Sequence, residues 1–250
     1  MELNSETEQL EDAGFTVIRG LYGPEDIAEI HDLLVPLLEQ FDSLKGRKAR
    51  DIGETFTPEE SDDEAPKPLK QPEIDRPTRF LPLLFKTAIF QKTRKAASAL
   101  LGCDARYAFD HFICKMPGSE TETPWHQDQA YLGPKVWLNT VNFWIPLQDV
   151  DEENGTLSYL AGSHHQGLHD HTIANPENPH VRLMAGDKDA ATPVRLKMGD
   201  CSVHNSLTVH RASRNKSTVP RYAWILHFNR YGRLAYFAPR NIPGLIARVL

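Results

Sequence analysis

Much that would announce a familiar chemistry is missing from this 250-residue chain. No apolar run approaches the roughly 20 residues that a bilayer span needs. The N-terminus, Met1-Glu2-Leu3-Asn4-Ser5-Glu6-Thr7-Glu8, is acidic and polar, the reverse of a secretory leader. Cysteine is scarce. Cys103, Cys114 and Cys201 are odd in number and lack metal-ligand spacing, so they read as reduced thiols of a cytoplasmic protein. Basic residues are in deficit, 28 Lys and Arg against 34 Asp and Glu, which gives no electrostatic case for nucleic acid or an anionic membrane as partner. There is no Gly-x-Gly-x-x-Gly after a strand, no phosphate-binding Gly-Lys-Ser loop and no Gly-x-Ser-x-Gly elbow. Internal repeats and low-complexity tracts are absent too.

What is present has two textures. In the first part, about residues 1–104, apolar residues recur at helical spacing. Ser5-x-x-Glu8 has the form of a capping box for a helix stopped at Gly14, and Phe15 to Ile18 suits a short strand. Pro24 stands at the start of a helix carrying Ile27, Ile30, Leu33, Leu34, Leu37, Leu38 and Phe41, with Pro36 predicting a kink or stop. Another helix is expected over 87–101, ending at Gly102. Between them, residues 46–78 hold five prolines and few aliphatics and read as an extended segment, a candidate lid. Lys45, Arg47, Lys48 and Arg50 at its start read as a solvated helix end. From about 105 to 235 short strands separated by Gly, Pro, Asn and Asp dominate: 107–116, 138–150, 156–160, 193–197, 201–204 and 221–230. The expectation is one domain over 1–250, mainly β with flanking helices, built on a double-stranded β-helix (jelly-roll, cupin-like) core.

The chemistry is concentrated in His126-Gln127-Asp128. A histidine and a carboxylate two apart on an extended strand point the same way. With one distant histidine they can occupy one face of a metal octahedron and leave the other open, the two-His-one-carboxylate arrangement of non-haem Fe(II) oxygenases. The distant histidine is His204 or His210; six residues apart, they share strand parity, so spacing alone does not choose. Arg221, eleven residues beyond His210, follows a turn-like stretch that can return it beside that histidine, where a guanidinium would grip a carboxylate bidentately. Histidine is densest elsewhere, at His164, His165, His169 and His171. That stretch has little apolar material to fix ligand geometry and reads as a loop at the barrel mouth. Trp125, Trp137 and Trp224 are either core residues or walls of a substrate cavity.

Taken in order, these stretches resemble the phytanoyl-CoA dioxygenase family of Fe(II)/2-oxoglutarate-dependent oxygenases. Asp12-Ala-Gly-Phe-Thr-Val-Ile-Arg-Gly20 is similar to its opening strand and Trp125-His-Gln-Asp128 to its proximal ligand motif. Trp144-Ile-Pro-Leu-Gln-Asp149, Glu153-Asn-Gly-Thr-Leu157 and Gly162-Ser-His164 are similar to its central strand, turn and loop. His210-x-x-x-x-Asn215-x-Ser217-x-x-x-Arg221 is similar to its distal ligand and cosubstrate arginine. The resemblance implies His126, Asp128 and His210 as ligands of a catalytic Fe(II), with His204 left as their neighbour. It implies Arg221 on the far carboxylate of 2-oxoglutarate, Trp144 lining that pocket, and Lys115 and His111 on the strand that contributes to it. The family's serine two residues after the distal histidine is Ala212 here, with Ser213 the candidate replacement. The implied activity is O2-dependent oxidation, hydroxylation first, of an unactivated C–H bond in a small molecule, releasing succinate and CO2. Asp128 disfavours halogenation. Two alternatives stay open, a cupin-like metalloenzyme that uses no 2-oxoglutarate and a silent binding or sensor module. Substrate and oligomeric state are not encoded legibly.

Overall fold

The computed structural model describes residues 1–46, 48–53, 69–132, 140–175, 178–183 and 191–232. Its first helix, α1 (Asn4–Ala13), has no side-chain cap: it starts one residue before Ser5, whose hydroxyl bonds Glu6 instead, so the expected capping box does not form. Gly14 ends it at φ +83°, and a Cβ there would lie 2.5 Å from the His164 ring. Glycine is required twice over. After β1 (Phe15–Ile18), helix α2 (Pro24–Leu34) stops just before Pro36, which opens the short turns α3 (Pro36–Glu39) and α4 (Phe41–Leu44). Helix α5 (Ala88–Leu101) is capped by the Thr87 hydroxyl, which accepts from Phe90 N–H, and ends at Gly102 with φ +61°.

The remaining elements are β2 (Ala49–Asp51), β3 (Pro72–Asp75), β4 (Arg106–Lys115), β5 (Thr123–His126), α6 (Gln129–Leu132), β6 (Thr140–Pro146) and β7 (Leu157–Tyr159). Then come β8 (Thr172–Asn175), β9 (Asn178–Leu183), β10 (Thr192–Pro193), β11 (Cys201–Asn205), β12 (His210–Ala212) and β13 (Arg221–Asn229). A seven-stranded sheet runs β1-β11-β6-β13-β4-β3-β2, a four-stranded one β10-β7-β12-β5, and β8 pairs with β9. All named pairings are antiparallel. The two larger sheets face each other as a jelly roll.

Period-two alternation sorts the large sheet's residues. Trp224, Leu226, Phe228, Phe112, Phe143 and Val203 point outward into a core shared with α1, α2 and α5. Trp144, Ala223 and Ile225 point inward and meet Leu157, Tyr159 and Ala212 of the small sheet; Phe15 stacks on Tyr159 at 4.5 Å. Trp224 is therefore a core residue, its indole N–H bonded to buried Asp110, and not a cavity wall. Trp137 lies outside the described residues, as do 47 and 54–68 of the candidate lid. Both flanks of that segment are ordered as β2 and β3. They carry Arg50 and Glu73 to the inner face, paired at 2.6 Å, so Arg50 is not part of a solvated helix end. Among the described residues no helix is long and apolar enough to cross a membrane.

Candidate metal and cosubstrate site

The site forms where the edge of the small sheet meets the inner face of the large one. His126 ends β5 and lies directly opposite His210 on β12, with ring centroids 4.2 Å apart. The ladder then shifts register, because two residues of β12 span three of β5. Such a bulge re-aims side chains, and Pro124 sits in it without breaking a ladder, since β5 is an edge strand. Asp128 follows in the turn before α6. One ligand atom from each of His126, Asp128 and His210 lies within 4.8 Å of the others.

Hydrogen bonds fix which nitrogen each ring offers. His126 Nδ1 lies 2.8 Å from Pro124 O and His210 Nδ1 lies 2.9 Å from Thr208 O. A carbonyl only accepts, so both rings carry their proton on Nδ1 and hold an Nε2 lone pair toward the centre. These Nε2 atoms stand 3.6 and 3.8 Å from Asp128 Oδ1. Three lone-pair donors thus converge, a gap shaped for a cation. His204 is the opposite case. Its Nε2 is 3.1 Å from Asp128 Oδ2, a carboxylate oxygen that only accepts, so that nitrogen carries a proton and turns no lone pair to the gap. His204 and His210 thus differ in tautomer.

Charge agrees with this. Burial alone would raise the Asp128 carboxyl, but His210, His126 and His204 outweigh it and hold the group well below the usual carboxylate range. Burial, with His126 and His204 beside it, pushes His210 well below an ordinary imidazole. At neutral pH Asp128 is a carboxylate and His210 a neutral imidazole, the protonation states a divalent metal needs.

A second feature lies at the other end of the inner face. Arg221 is 2% exposed, and its Nε and Nη1 have no hydrogen-bond partner among the described residues. It lies across the β13–β4 ladder from Lys115 and 5.1 Å from the Trp144 ring centre. Burial drags its guanidinium down to about 10. Lys115 is buried as well, but its ammonium is spent on the carbonyls of Thr121, Ala212 and Ser213 at 3.2, 3.1 and 2.6 Å. Ser213 donates its N–H to Thr156 O, with its hydroxyl 3.5 Å from the same oxygen, while Ala212 faces the inner core. Gly155, at φ +93°, lets the 153–157 turn approach: a Cβ there would be 3.0 Å from Ser213 O and 3.2 Å from Lys115 Cδ. Asn215 ties the return turn together, donating to Lys115 O and Val219 O and accepting from Ser217. That turn delivers Arg221. His111 lies on the same face of β4 as Lys115, opposite Ile225 of β13; its Nδ1 lies 2.6 Å from Glu73 and its Nε2 3.4 Å from His227.

Sequence reasoning missed several residues around the ligands. Asn142 also donates to Asp128 Oδ2. Gln127, fully buried, donates to Gly167 O and Leu207 O and accepts from His169 N–H, clamping the histidine-rich loop to the ligand motif. Glu73 anchors His111. Asn142 carried a usable signal, being a polar residue two positions before Trp144 in an otherwise buried apolar strand. Gln127 and Glu73 carried none, because their partners are distant in sequence.

Comparison with known proteins agrees with this geometry. The sequence profile described as Phytanoyl-CoA dioxygenase (PhyH) matches residues 10–223. Phytanoyl-CoA dioxygenase domain-containing protein 1 of Danio rerio is 28% identical over 122 residues, 46% of this chain but only 42% of that protein, so less than half of its length is matched. A probable alpha-ketoglutarate-dependent hypophosphite dioxygenase of Stutzerimonas stutzeri is 24% identical over 216 residues, 84% of this chain and 72% of that one. The crystal structure of EvdO2 from Micromonospora carbonacea var. aurantiaca, complexed with 2-oxoglutarate, superposes with a TM-score of 0.72 at 26% identity, covering 90% of this chain and 89% of that one. With the profile spanning most of its length, this chain belongs to the phytanoyl-CoA dioxygenase family.

Proposed function

We propose that the protein is a non-haem Fe(II)/2-oxoglutarate-dependent oxygenase that hydroxylates an unactivated C–H bond of a small organic molecule, releasing succinate and CO2. His126 Nε2, Asp128 Oδ1 and His210 Nε2 are its metal ligands, and Arg221 is its cosubstrate anchor. The observation that carries this reading is the pairing of two incomplete sites on the inner side of the jelly roll. One is a convergent two-His-one-carboxylate set with no proton between its donors. The other is a buried guanidinium with orphaned donors. The relatives named for 2-oxoglutarate dependence support the same assignment.

The residues fit both missing groups. A buried unpaired guanidinium costs on the order of 1–3 kcal/mol for each unsatisfied donor, and a carboxylate satisfies two donors at once. Among the described residues no side-chain carboxylate is paired with Arg221, so the anion is to come from a ligand; a diacid such as 2-oxoglutarate has one carboxylate for Arg221 and a 2-oxo acid end for the metal. Ferrous iron with a chelated 2-oxo acid supplies the oxidising power for O2-dependent attack on unactivated C–H bonds. The chain does the rest. Trp144 walls the anion pocket against water, Lys115 fixes the Ala212–Ser213 backbone beside it, and the Nδ1–H bonds to Pro124 O and Thr208 O hold the imidazoles in the ligating tautomer.

Anaerobic titration of Fe(II)-loaded protein with 2-oxoglutarate tests the reading. A weak visible metal-to-ligand charge-transfer band, absent from Asp128→Ala and His210→Ala, is expected. Bound iron without the band would remove 2-oxoglutarate from the reading, and no bound iron would remove the metal.

A further inference from the structure

We propose that His204 is a positioning residue which, with Asn142, keeps Asp128 a one-oxygen ligand and so preserves the open face of the metal. The inference rests on the iron reading above and assigns a task to a third buried imidazole beside the two proposed as ligands.

The problem it addresses is coordination number. A carboxylate binds a cation through one oxygen or both. In an octahedron, three protein ligand atoms leave three positions, enough for a two-point chelate and O2. If Asp128 chelated as well, only two positions would remain, and cosubstrate and O2 would compete for them. Something must occupy the second carboxylate oxygen.

The structure fills Oδ2 from two sides. His204 Nε2–H donates to it across 3.1 Å, and Asn142 Nδ2 donates from the neighbouring strand. His204 and Asn142 are cross-strand partners on β11 and β6, so the pair is part of the sheet itself and not a loop arrangement. Among the described residues Oδ1 has no such donors; its neighbours are the Nε2 lone pairs of His126 and His210. One oxygen is held and the other is presented.

A donor chain behind His204 sets its tautomer. The Tyr159 hydroxyl lies 3.2 Å from His204 Nδ1 and 2.9 Å from the Ser202 hydroxyl. Burial raises the Tyr159 phenol far above its ordinary range, so it remains a proton donor. Ser202 donates to Tyr159, Tyr159 to His204 Nδ1, and His204 Nε2 to Asp128. Ser202, Tyr159 and His204 are all buried. The chain runs in one direction, and its end is the metal carboxylate.

The test uses metal-free full-length protein, titrated with Co(II) and then, anaerobically, with Fe(II) and 2-oxoglutarate; thermal unfolding checks the fold. His204→Leu removes the donor and His204→Gln keeps one. For His204→Leu the expected result is Co(II) affinity weaker by about 10–100-fold. Its iron-loaded form is expected to lose 2-oxoglutarate affinity at least about tenfold, with His204→Gln close to the parent protein. Equal affinities in His204→Leu and the parent overturn the proposal. Equal losses in both variants also overturn it, because ring packing alone would then be at work. If His204→Leu does not fold, Tyr159→Phe decides: it keeps the ring, breaks the donor chain, and is expected to weaken Co(II) in the same direction, whereas parental affinity counts against the chain. A parent that binds Fe(II) without the charge-transfer band sinks the cosubstrate reading and leaves the Co(II) comparison as the judge of the clamp.

Discussion

Two groups of histidines crowd this molecule, and their rings are equally close. His126 and His204 lie tilted against His210 with centroids 4.2 and 4.4 Å away; His164 and His165 lie 3.9 Å apart. The groups differ in what their nitrogens do. In the first, His126 and His210 use Nδ1–H on backbone carbonyls and turn their Nε2 lone pairs toward one carboxylate oxygen. In the second, His164 and His165 place Nε2 against Glu11 O and Asp12 O at the end of α1, and His171 Nε2 accepts from Gln127 N–H. The first group makes a hole for a cation, the second fastens a loop. Histidine density says little about metal binding; convergent lone pairs beside an ionised carboxylate say much.

The largest expected effect breaks the first group. His210→Ala should weaken Fe(II) by more than about 100-fold, beyond what loss of an outer-sphere partner costs, as read by equilibrium metal titration.

Next comes Arg221→Met. It should weaken 2-oxoglutarate by about 10–100-fold, from charge-assisted hydrogen bonds worth about 1.5–3 kcal/mol each. The ligand-free variant should unfold at the parental temperature or above it, because an orphaned buried charge has been removed. Added 2-oxoglutarate should then stabilise the iron-loaded parent but not the variant. A variant much less stable without ligand would show that Arg221 is chiefly structural.

Glu73 sharpens the boundary of the site. Burial pushes its carboxyl up, but Arg50 and His111 outweigh this and hold it at about 2, below its ordinary 4.5. A depressed carboxylate stabilises the fold fully above its unfolded pKa and loses that contribution as pH falls from about 4.5 towards 2. His227 adds in the same direction. Burial and His111 lower it from 6.5 to about 3, so its contribution is complete above 6.5 and drains away below it. Glu73→Gln should therefore cost at most roughly 3 kcal/mol at pH 7, discounted because the Arg50 side chain is 38% exposed. The gap from the parent should close as pH falls to 2, as followed by urea unfolding across pH.

Gln127→Ala links the two histidine groups, since it frees Gly167, Leu207 and His169 from their side-chain partner. It should destabilise by about 1–3 kcal/mol while Fe(II) affinity changes far less than in His210→Ala. The smallest effect belongs to His165→Ala, whose ring reaches one backbone carbonyl at 3.3 Å. It should leave Fe(II) affinity unaltered and stability within about 0.5 kcal/mol. A tenfold fall in metal affinity there would overturn the contrast between the groups.

Local chemistry made much of this legible in the sequence. Glycine and proline mark their own conformations, so the stops at Gly14 and Gly102 and the break before Pro36 were readable. Alternation is a local property, so residues 221 to 229 already showed which side chains share a face. The motif was readable as a histidine and a carboxylate two residues apart, although Asp128 lies in the turn after β5 and strand parity is not what brings it to His126. The Ser5 cap was misread because a capping motif one residue inside a helix looks the same as one at its start. Strands β2, β3, β5 and β12 were not among those expected. They are three or four residues long, with little pattern of their own, and exist because a neighbouring strand supplies hydrogen bonds.

The sequence by itself thus determined the jelly-roll class and offered the candidate ligands and arginine, since these rest on periodicity and on which side chains can donate a lone pair or a fork of N–H groups. Only the tertiary structure distinguishes His204 from His210, because the difference lies in which ring nitrogen carries the proton. That is set by the carbonyls of Pro124 and Thr208 and by the carboxylate of Asp128. It also decided that Lys115 is sealed among carbonyls while Arg221 is left with open donors. Both are buried cations on facing strands, and only the positions of distant backbone oxygens tell them apart.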